Sequence, residues 1–298
     1  MHTISTFLDM WLESRSLNIR PATVATYRRT IDLVTSLVGD RPLDGFKTLD
    51  GETLLARMAK RGLSQRDRLM AYIVLKAAFD RAVKWELVAK NPMRDVEKPK
   101  VEKKEMKVWT ADQARLFLDV TEGTEDFPIY ALALMLGMRQ GEILGLQWED
   151  VDLDRGVLQV RQQLSEVGGK IVGLAPVKTS KGNRSVTLNA RLVAALRLHQ
   201  KVTGRKEGFV FLKYGEPRKK ADIHYVFKRD TRKCGLPEIR FHDLRHTNVT
   251  LLISKGVDAK TIQGRVGHSQ VSVTLDTYAK FLKAADVEAA NKMEEMFS

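Results

Sequence analysis

Apolar residues recur at helical spacing from the start of the chain. Ile4, Phe7, Leu8 and Trp11 form one stripe in TISTFLDMWLES, and Val24, Tyr27, Ile31 and Val34 form a second after Pro21. This period predicts two amphipathic helices, the second entered at a proline and stopped at Gly39. A third is predicted from near Ser64 through RLMAYIVLKAAFDRAVKWELVAK, ending at Asn91-Pro92 because the residue before a proline disfavours the helical region. Nothing here alternates like a strand. From Arg94 to Lys107, RDVEKPKVEKKEMK has almost no large apolar side chains, many charges and a proline, which predicts an exposed connector and a domain boundary near residue 100.

Helical period resumes in TADQARLFLDV, where Thr110 and Gln113 have the spacing of a capping box. An apolar helix, FPIYALALMLGM, is predicted to turn through RQGE into another, GEILGLQW. The period then changes. GVLQVRQQL, GKIVGLAPVKT and RSVTLN are short β-leaning runs separated by Gly-Gly and by SKGN, which predicts a small three-stranded antiparallel meander. Asn189 caps a return to helix, and helices separated by Gly, Pro and Asn continue to the end. The expected fold class is mainly α: a helical first domain, residues 1–95, a linker, 96–107, and a mostly helical second domain, 108–283, with a small three-stranded antiparallel sheet. A C-terminal segment, 284–298, follows.

Length and composition fit this division. A chain of 298 residues can bury two cores, and 43% hydrophobic with 29% charged residues is ordinary for a globular protein. The charge balance changes the picture. The net charge is +13, and the excess covers both halves: residues 1–98 hold 17 basic and 12 acidic side chains, residues 99–298 hold 33 and 25. Basic surface on both domains fits a long polyanion gripped from two sides, most simply nucleic acid, and the linker lysines Lys98, Lys100, Lys103, Lys104 and Lys107 can lie along a phosphate backbone. A single cysteine, Cys234, excludes an internal disulfide and fits a reducing cytoplasm. The N-terminus carries Asp9 and Glu13 among its apolar residues, unlike a signal peptide, and the longest apolar run, YALALMLGM, is too short to cross a bilayer.

The densest chemistry lies in FHDLRHT. His242 and Arg245 are three residues apart and His242 and His246 four, so on a helix both pairs share a face. A metal and an anionic oxygen cluster both suit that geometry. The metal reading is weaker, because Asp243 stands where a zinc hydrolase helix carries glutamate and Arg245 would set a positive charge between the ligands. A nucleotide site lacks support as well: around Gly168-Gly169-Lys170, Leu164 stands where the first P-loop glycine belongs and Ile171 where Ser or Thr should follow. No cofactor is expected. For an anion, LGMRQGEILGLQWEDVD offers Arg139 in an interhelical turn with Glu142 three residues on, able to hold the guanidinium.

Taken together, the second-domain motifs resemble the tyrosine recombinase (phage integrase) family. That family surrounds one DNA phosphate with an arginine in G-x-R-x-x-E, a lysine in a β-hairpin, H-x-x-R, a histidine or tryptophan in a G-H turn, and a tyrosine near the C-terminus. This chain has the set in order: Arg139, Lys178 in VKTSKGNRSV, His242 and Arg245 in FHDLRHT, His268 in VGHSQ and Tyr278 in TLDTYAK. The first domain, with RPATVATYRR and AVKWELVAKNP, resembles the family's core-binding domain.

The resemblance implies a site-specific DNA recombinase that cleaves and rejoins strands through a 3′-phosphotyrosyl intermediate, integrating or excising mobile DNA without metal or ATP. Arg139 and Arg245 would hold the nonbridging oxygens, Tyr278 would attack, His242 would take its proton, Lys178 would protonate the leaving oxygen, His268 would bind the phosphate and Glu142 would orient its neighbours. Its partners would be double-stranded recombination sites, a homotetramer on two duplexes and, at some sites, a DNA-bending accessory protein. The stripe Val287, Ala290, Met293 and Met296 would dock the C-terminal segment on a neighbouring protomer.

Three features qualify the resemblance. Gly264 and Val266 in TIQGRVGHS stand where the family carries a better helix former and a leucine, and Lys181 lies close enough to Lys178 to exchange with it by a register shift. Met1 begins almost at the core-binding domain, where many phage integrases carry a further small arm-binding domain ahead of it: either the protein works at simple sites, or the sequence lacks a domain that precedes it. Taken singly, Tyr278 reads as core, three residues from Leu275 and four from Leu282, while His199 and His224 read as surface or packing histidines and His246 as a packing or helix-stabilising residue. Two other functions share the pattern: a non-catalytic DNA-binding regulator on the same scaffold, and a type IB topoisomerase, which would relax supercoils without a specific site.

Overall fold

The structure, a computed structural model, describes residues 2–102, 106–177, 182–267 and 293–297, and the chain divides into two compact units, Met1–Lys104 and Glu105–Ser298. The first unit holds four helices, α1 (Ile4–Ser16), α2 (Pro21–Val38), α3 (Thr48–Lys60) and α4 (Gln65–Lys84). The stripe Ile4, Phe7, Leu8 and Trp11 is buried, together with Ile31 and Val34 of α2, Leu54 and Met58 of α3, and Leu75 and Phe79 of α4. Trp11 stacks on Tyr27 at 5.7 Å, which fastens α1 to α2. Pro21 opens α2, and Gly39 closes it at φ 77°.

Two expectations fail in this unit. Helix α3 was not legible: its apolar stripe is short and Gly51 interrupts it. That glycine sits where a Cβ would come within 2.8 Å of Met93 Sδ and Val96 Cγ2, so close packing fixes its identity. Helix α4 stops at Lys84, well before Asn91-Pro92. Glu86 takes the left-handed conformation at φ 58°, with Glu86 N–H donating to Val83 O at 3.1 Å and Leu87 N–H to Ala82 O at 3.0 Å. This is a Schellman ending with glutamate where a sequence reading looks for glycine.

The second unit is built around α6 (Phe127–Met135), which is buried on nearly every face and packs against α5 (Ala111–Thr121), α8 (Ala190–Thr203) and α10 (Asp243–Ser254). Thr110 and Gln113 make the expected capping box of α5, and Asn189 accepts from Leu192 N–H to start α8. The predicted helix GEILGLQW shrinks to α7 (Gln140–Leu144). Helices α9 (Lys220–Lys233) and α11 (Ala259–Val266) also belong to this unit, and residues 293–297 are helical. His199 is buried against Phe211 with Nε2 2.9 Å from Val210 O, and His224 is exposed.

The sheet departs from a meander. Strands β1 (Val151–Asp152), β2 (Val157–Val160), β3 (Gln162–Val167), β4 (Lys170–Pro176) and β5 (Arg184–Thr187) form a three-stranded antiparallel sheet, β1-β2-β5, and a separate hairpin, β3-β4. A short pair, β6 (Leu212–Lys213) and β7 (Glu216–Pro217), lies beyond α8. The run GVLQVRQQL is thus divided at Arg161: Val160 pairs with Arg184, while Gln162 pairs with Pro176. The GKIVGLAPVKT run therefore pairs with β3 and the RSVTLN run with β2, on either side of Arg161. Side-chain alternation gave each run its strand character but not its partner, because the period is the same whichever strand lies alongside.

Candidate active site

Three local structures place the arginines. The first is the turn between α6 and α7, where Gly137 is left-handed at φ 65° and Arg139 caps α7 in extended conformation. Glu142 reaches back from the third helical position: Arg139 N–H donates to Oε2 at 3.0 Å, and Arg139 Nη1 donates to Oε1 at 2.7 Å. This is a capping box in which the carboxylate also grips the side chain of the cap residue. Gly145 lets β3 pass directly over α7, since a Cβ there would lie 2.5 Å from Leu164 N.

The second is the start of α10. Asp243 accepts from Arg240 N–H at 2.8 Å and from its guanidinium at 2.7 and 3.0 Å, while Thr247 Oγ accepts from Trp109 N–H at 3.2 Å and donates to Asp243 O. With the helix entry fixed, Arg245 points inward and is 2% exposed. Its Nη1 donates to Gly137 O, so α10 is bound to the turn carrying Arg139. Asn248 adds bonds from Nδ2 to Leu134 O and Met135 O at 2.9 and 3.1 Å. Arg245 Nη2 is buried with no protein acceptor among the described residues.

The third is the end of α11, where Gly267 is left-handed at φ 69° and its carbonyl accepts from Arg139 Nη2 at 2.9 Å. Arg139 and Glu142 from the start of α7 and His242 and Arg245 from the start of α10 therefore come together, with the Gly267 carbonyl from a third part of the sequence. Lys178, His268 and Tyr278 lie outside the described residues, as does the alternative Lys181. So do Val287 and Ala290 of the C-terminal stripe; Met293 and Met296 are exposed within 293–297.

Sequence reasoning missed Arg184. It is 8% exposed, and its Nη2 donates to Glu142 Oε2 at 2.8 Å. The available signal was its phase, because in RSVT it faces inward with Val186. An arginine on the core side of a strand needs a buried partner.

The electrostatics are lopsided. Among the described residues one carboxylate, Glu142, stands among Arg139, Arg184 and Arg245. Burial raises the Glu142 pKa, but the hydrogen bond and charge of Arg184, with those of Arg139, outweigh it and hold the group ionised below the usual carboxylate range. Burial, with the charges of Arg139 and Arg184, lowers the Arg245 pKa against the pull of Glu142, yet the guanidinium stays cationic at neutral pH. An excess of positive charge in a largely buried cluster calls for an anion.

His242 keeps an exposed edge and meets His246 edge-on at 5.1 Å. Burial, then His246, Arg245 and Arg139, depress its pKa from 6.5 to about 4, so the free protein presents a neutral imidazole at pH 7. His246 is lowered in the same direction, first by burial. The consequence for stability has a definite sign: between about pH 4 and 6.5 the unfolded chain binds more protons at His242 than the folded chain. This contribution is complete above about pH 6.5 and is lost as pH falls towards 4. Chemical denaturation midpoints should climb over that window, and His242→Asn should flatten the climb; an unchanged slope would contradict the assignment.

The phage integrase family profile matches residues 107–284, more than half of the chain. The chain belongs to the phage integrase family. It is a tyrosine-type site-specific recombinase. The ICEBs1 integrase of Bacillus subtilis (strain 168) is 28% identical over 247 residues, covering 79% of this chain and 67% of the relative. The integrase of Mycobacterium phage L5 is 30% identical over 241 residues, covering 77% and 62%. Among solved structures, the Tn1549 transposon integrase in complex with transposon right end DNA superposes with a TM-score of 0.84 at 26% identity, covering 99% of this chain and 100% of that one. A lambda integrase tetramer bound to a Holliday junction shares the fold, with a TM-score of 0.72 at 21% identity over 92% and 77% of the two chains. No helix among the described residues is long and apolar enough to cross a membrane.

Proposed function

We propose that Arg139 and Arg245 clamp one phosphate of duplex DNA and that Tyr278 cleaves the strand there. The observation carrying this reading is the surplus of guanidinium groups around Glu142, with one buried Arg245 donor still unsatisfied by the described protein. Two forks aimed at the nonbridging oxygens supply the charge that a pentacoordinate phosphorus needs, so the reaction requires no metal.

In cleavage, the Tyr278 phenolic oxygen bonds to phosphorus and the bond from phosphorus to the 5′ oxygen breaks. His242 receives the phenol proton, and Lys178 gives a proton to the departing oxygen. The neutral His242 imidazole suits a proton acceptor, and a bound phosphate would oppose the nearby cations and raise its basicity. His268 would donate a hydrogen bond to the phosphate. Because the phosphotyrosyl linkage keeps the energy of the broken phosphodiester, a 5′ hydroxyl from a second duplex can reverse the step without ATP. Exchange between two duplexes needs four active sites, hence a homotetramer, with residues 284–298 docking on a neighbour and a DNA-bending protein assisting where the site must curve. The first unit would add its own grip on the DNA, in the manner of a core-binding domain.

Strand exchange tests the reading. Duplexes selected by binding from a random library, paired on two plasmids, should recombine in EDTA without added nucleotide. Binding with no exchange would favour a DNA-binding regulator, and relaxation of plasmids lacking the site would favour a topoisomerase.

A further inference from the structure

Arg184 lies outside the six residues of the family pattern, and its surroundings give it a specific task. All three guanidinium nitrogens are engaged by protein: Nε donates to Arg265 O at 2.8 Å, Nη1 to Gly182 O at 3.0 Å and Nη2 to Glu142 Oε2 at 2.8 Å. The side chain is 5% exposed. A guanidinium so occupied and enclosed does not present a fork to a substrate.

Its contacts close a ring with those of Arg139. Glu142 is shared, Oε1 taking Arg139 Nη1 at 2.7 Å and Oε2 taking Arg184. The end of α11 is shared too, Arg184 holding Arg265 O and Arg139 holding Gly267 O at 2.9 Å. Each arginine thus bridges the same carboxylate to the same helix end. Without Arg184, Glu142 would keep one hydrogen-bonded guanidinium instead of two, and the end of α11 one of these two arginine bonds. Arg139, whose side chain is one-third exposed, would then be free to pivot.

We propose that Arg184 is a positioning residue of strand cleavage: by fixing Glu142 and the end of α11 together, it sets the aim of Arg139 at the phosphate. The inference rests on the reading of Arg139 as a phosphate clamp. A lysine in its place keeps the charge beside Glu142 but cannot span three acceptors in one plane.

The test compares wild type with Arg184→Lys and Arg184→Gln on two nicked suicide substrates, one with a scissile phosphodiester and one with a scissile methylphosphonate. The methyl group replaces a nonbridging oxygen and its charge, so the aim of an arginine matters far less. Arg184→Lys is expected to slow single-turnover cleavage of the phosphodiester about 100-fold, the usual scale for a displaced catalytic group, with DNA affinity and melting temperature near wild type. Methylphosphonate cleavage should fall no more than about threefold, because the charge that a well-aimed Arg139 would stabilise in the transition state is already missing from that substrate. Equal losses on both substrates, or variants that both melt below the assay temperature, would make Arg184 merely structural. Wild-type rates in both variants would overturn the positioning role and leave the phosphate clamp standing. A wild type that never forms a covalent product on either substrate would remove the clamp reading itself.

Discussion

Arg245→Lys is expected to slow strand cleavage about 10²–10³-fold, the cost of losing one oriented donor to developing charge. The native guanidinium is almost wholly enclosed and divides its donors, Nη1 serving Gly137 O and Nη2 remaining unsatisfied by protein among the described residues. A lysine ammonium is a single point of charge and cannot hold the Gly137 turn and meet a phosphate oxygen at once. Since Gly137 lies two residues before Arg139, the substitution also loosens the turn carrying the second fork. The charge is kept, so DNA affinity and its salt dependence should change little. Single-turnover cleavage beside binding at several salt concentrations separates these effects. A binding defect with a normal chemical step would place Arg245 outside the reaction.

The helices with full amphipathic stripes were legible in the sequence, and the reason is local. In α1, Ile4, Phe7, Leu8 and Trp11 repeat the helical period, and α5 and α8 carry their caps in Thr110 and Asn189. The end of α4 was not legible because a glutamate at φ 58° takes the place where a sequence reading looks for glycine, and helix α3 was not because its glycine is fixed by packing under Met93 and Val96, distant in sequence. Strand pairing failed for the same reason: alternation around Arg161 is unchanged whether the chain continues straight or divides its partners.

The candidate site follows the same division. Glu142 was legible as the holder of Arg139 because both lie on one helical turn. Its second cation was not, since Arg184 is 42 residues further along and reaches Glu142 only once β5 pairs with β2. Helix geometry also brought His242 near Arg245, but burial and three neighbouring cationic or titratable side chains, from both α10 and the Arg139 turn, are what keep the imidazole neutral. The unsatisfied Arg245 donor is visible only in three dimensions.

Tyr278→Phe is expected to abolish covalent attachment altogether while leaving DNA binding intact, because the change removes the nucleophilic oxygen and keeps the ring. No other group in the proposed site can replace it: histidine and lysine there act on protons, and a 3′ link through either would be a labile phosphoramidate. The decisive measurement is therefore a suicide-substrate reaction on nicked duplex carrying a selected site, followed by denaturing electrophoresis and peptide mapping of the attached residue. A denaturant-resistant protein–DNA band in wild type, absent in Tyr278→Phe and mapping to Tyr278, is the predicted result. A band that survives the substitution or maps elsewhere, or tight binding with no band, would contradict the account.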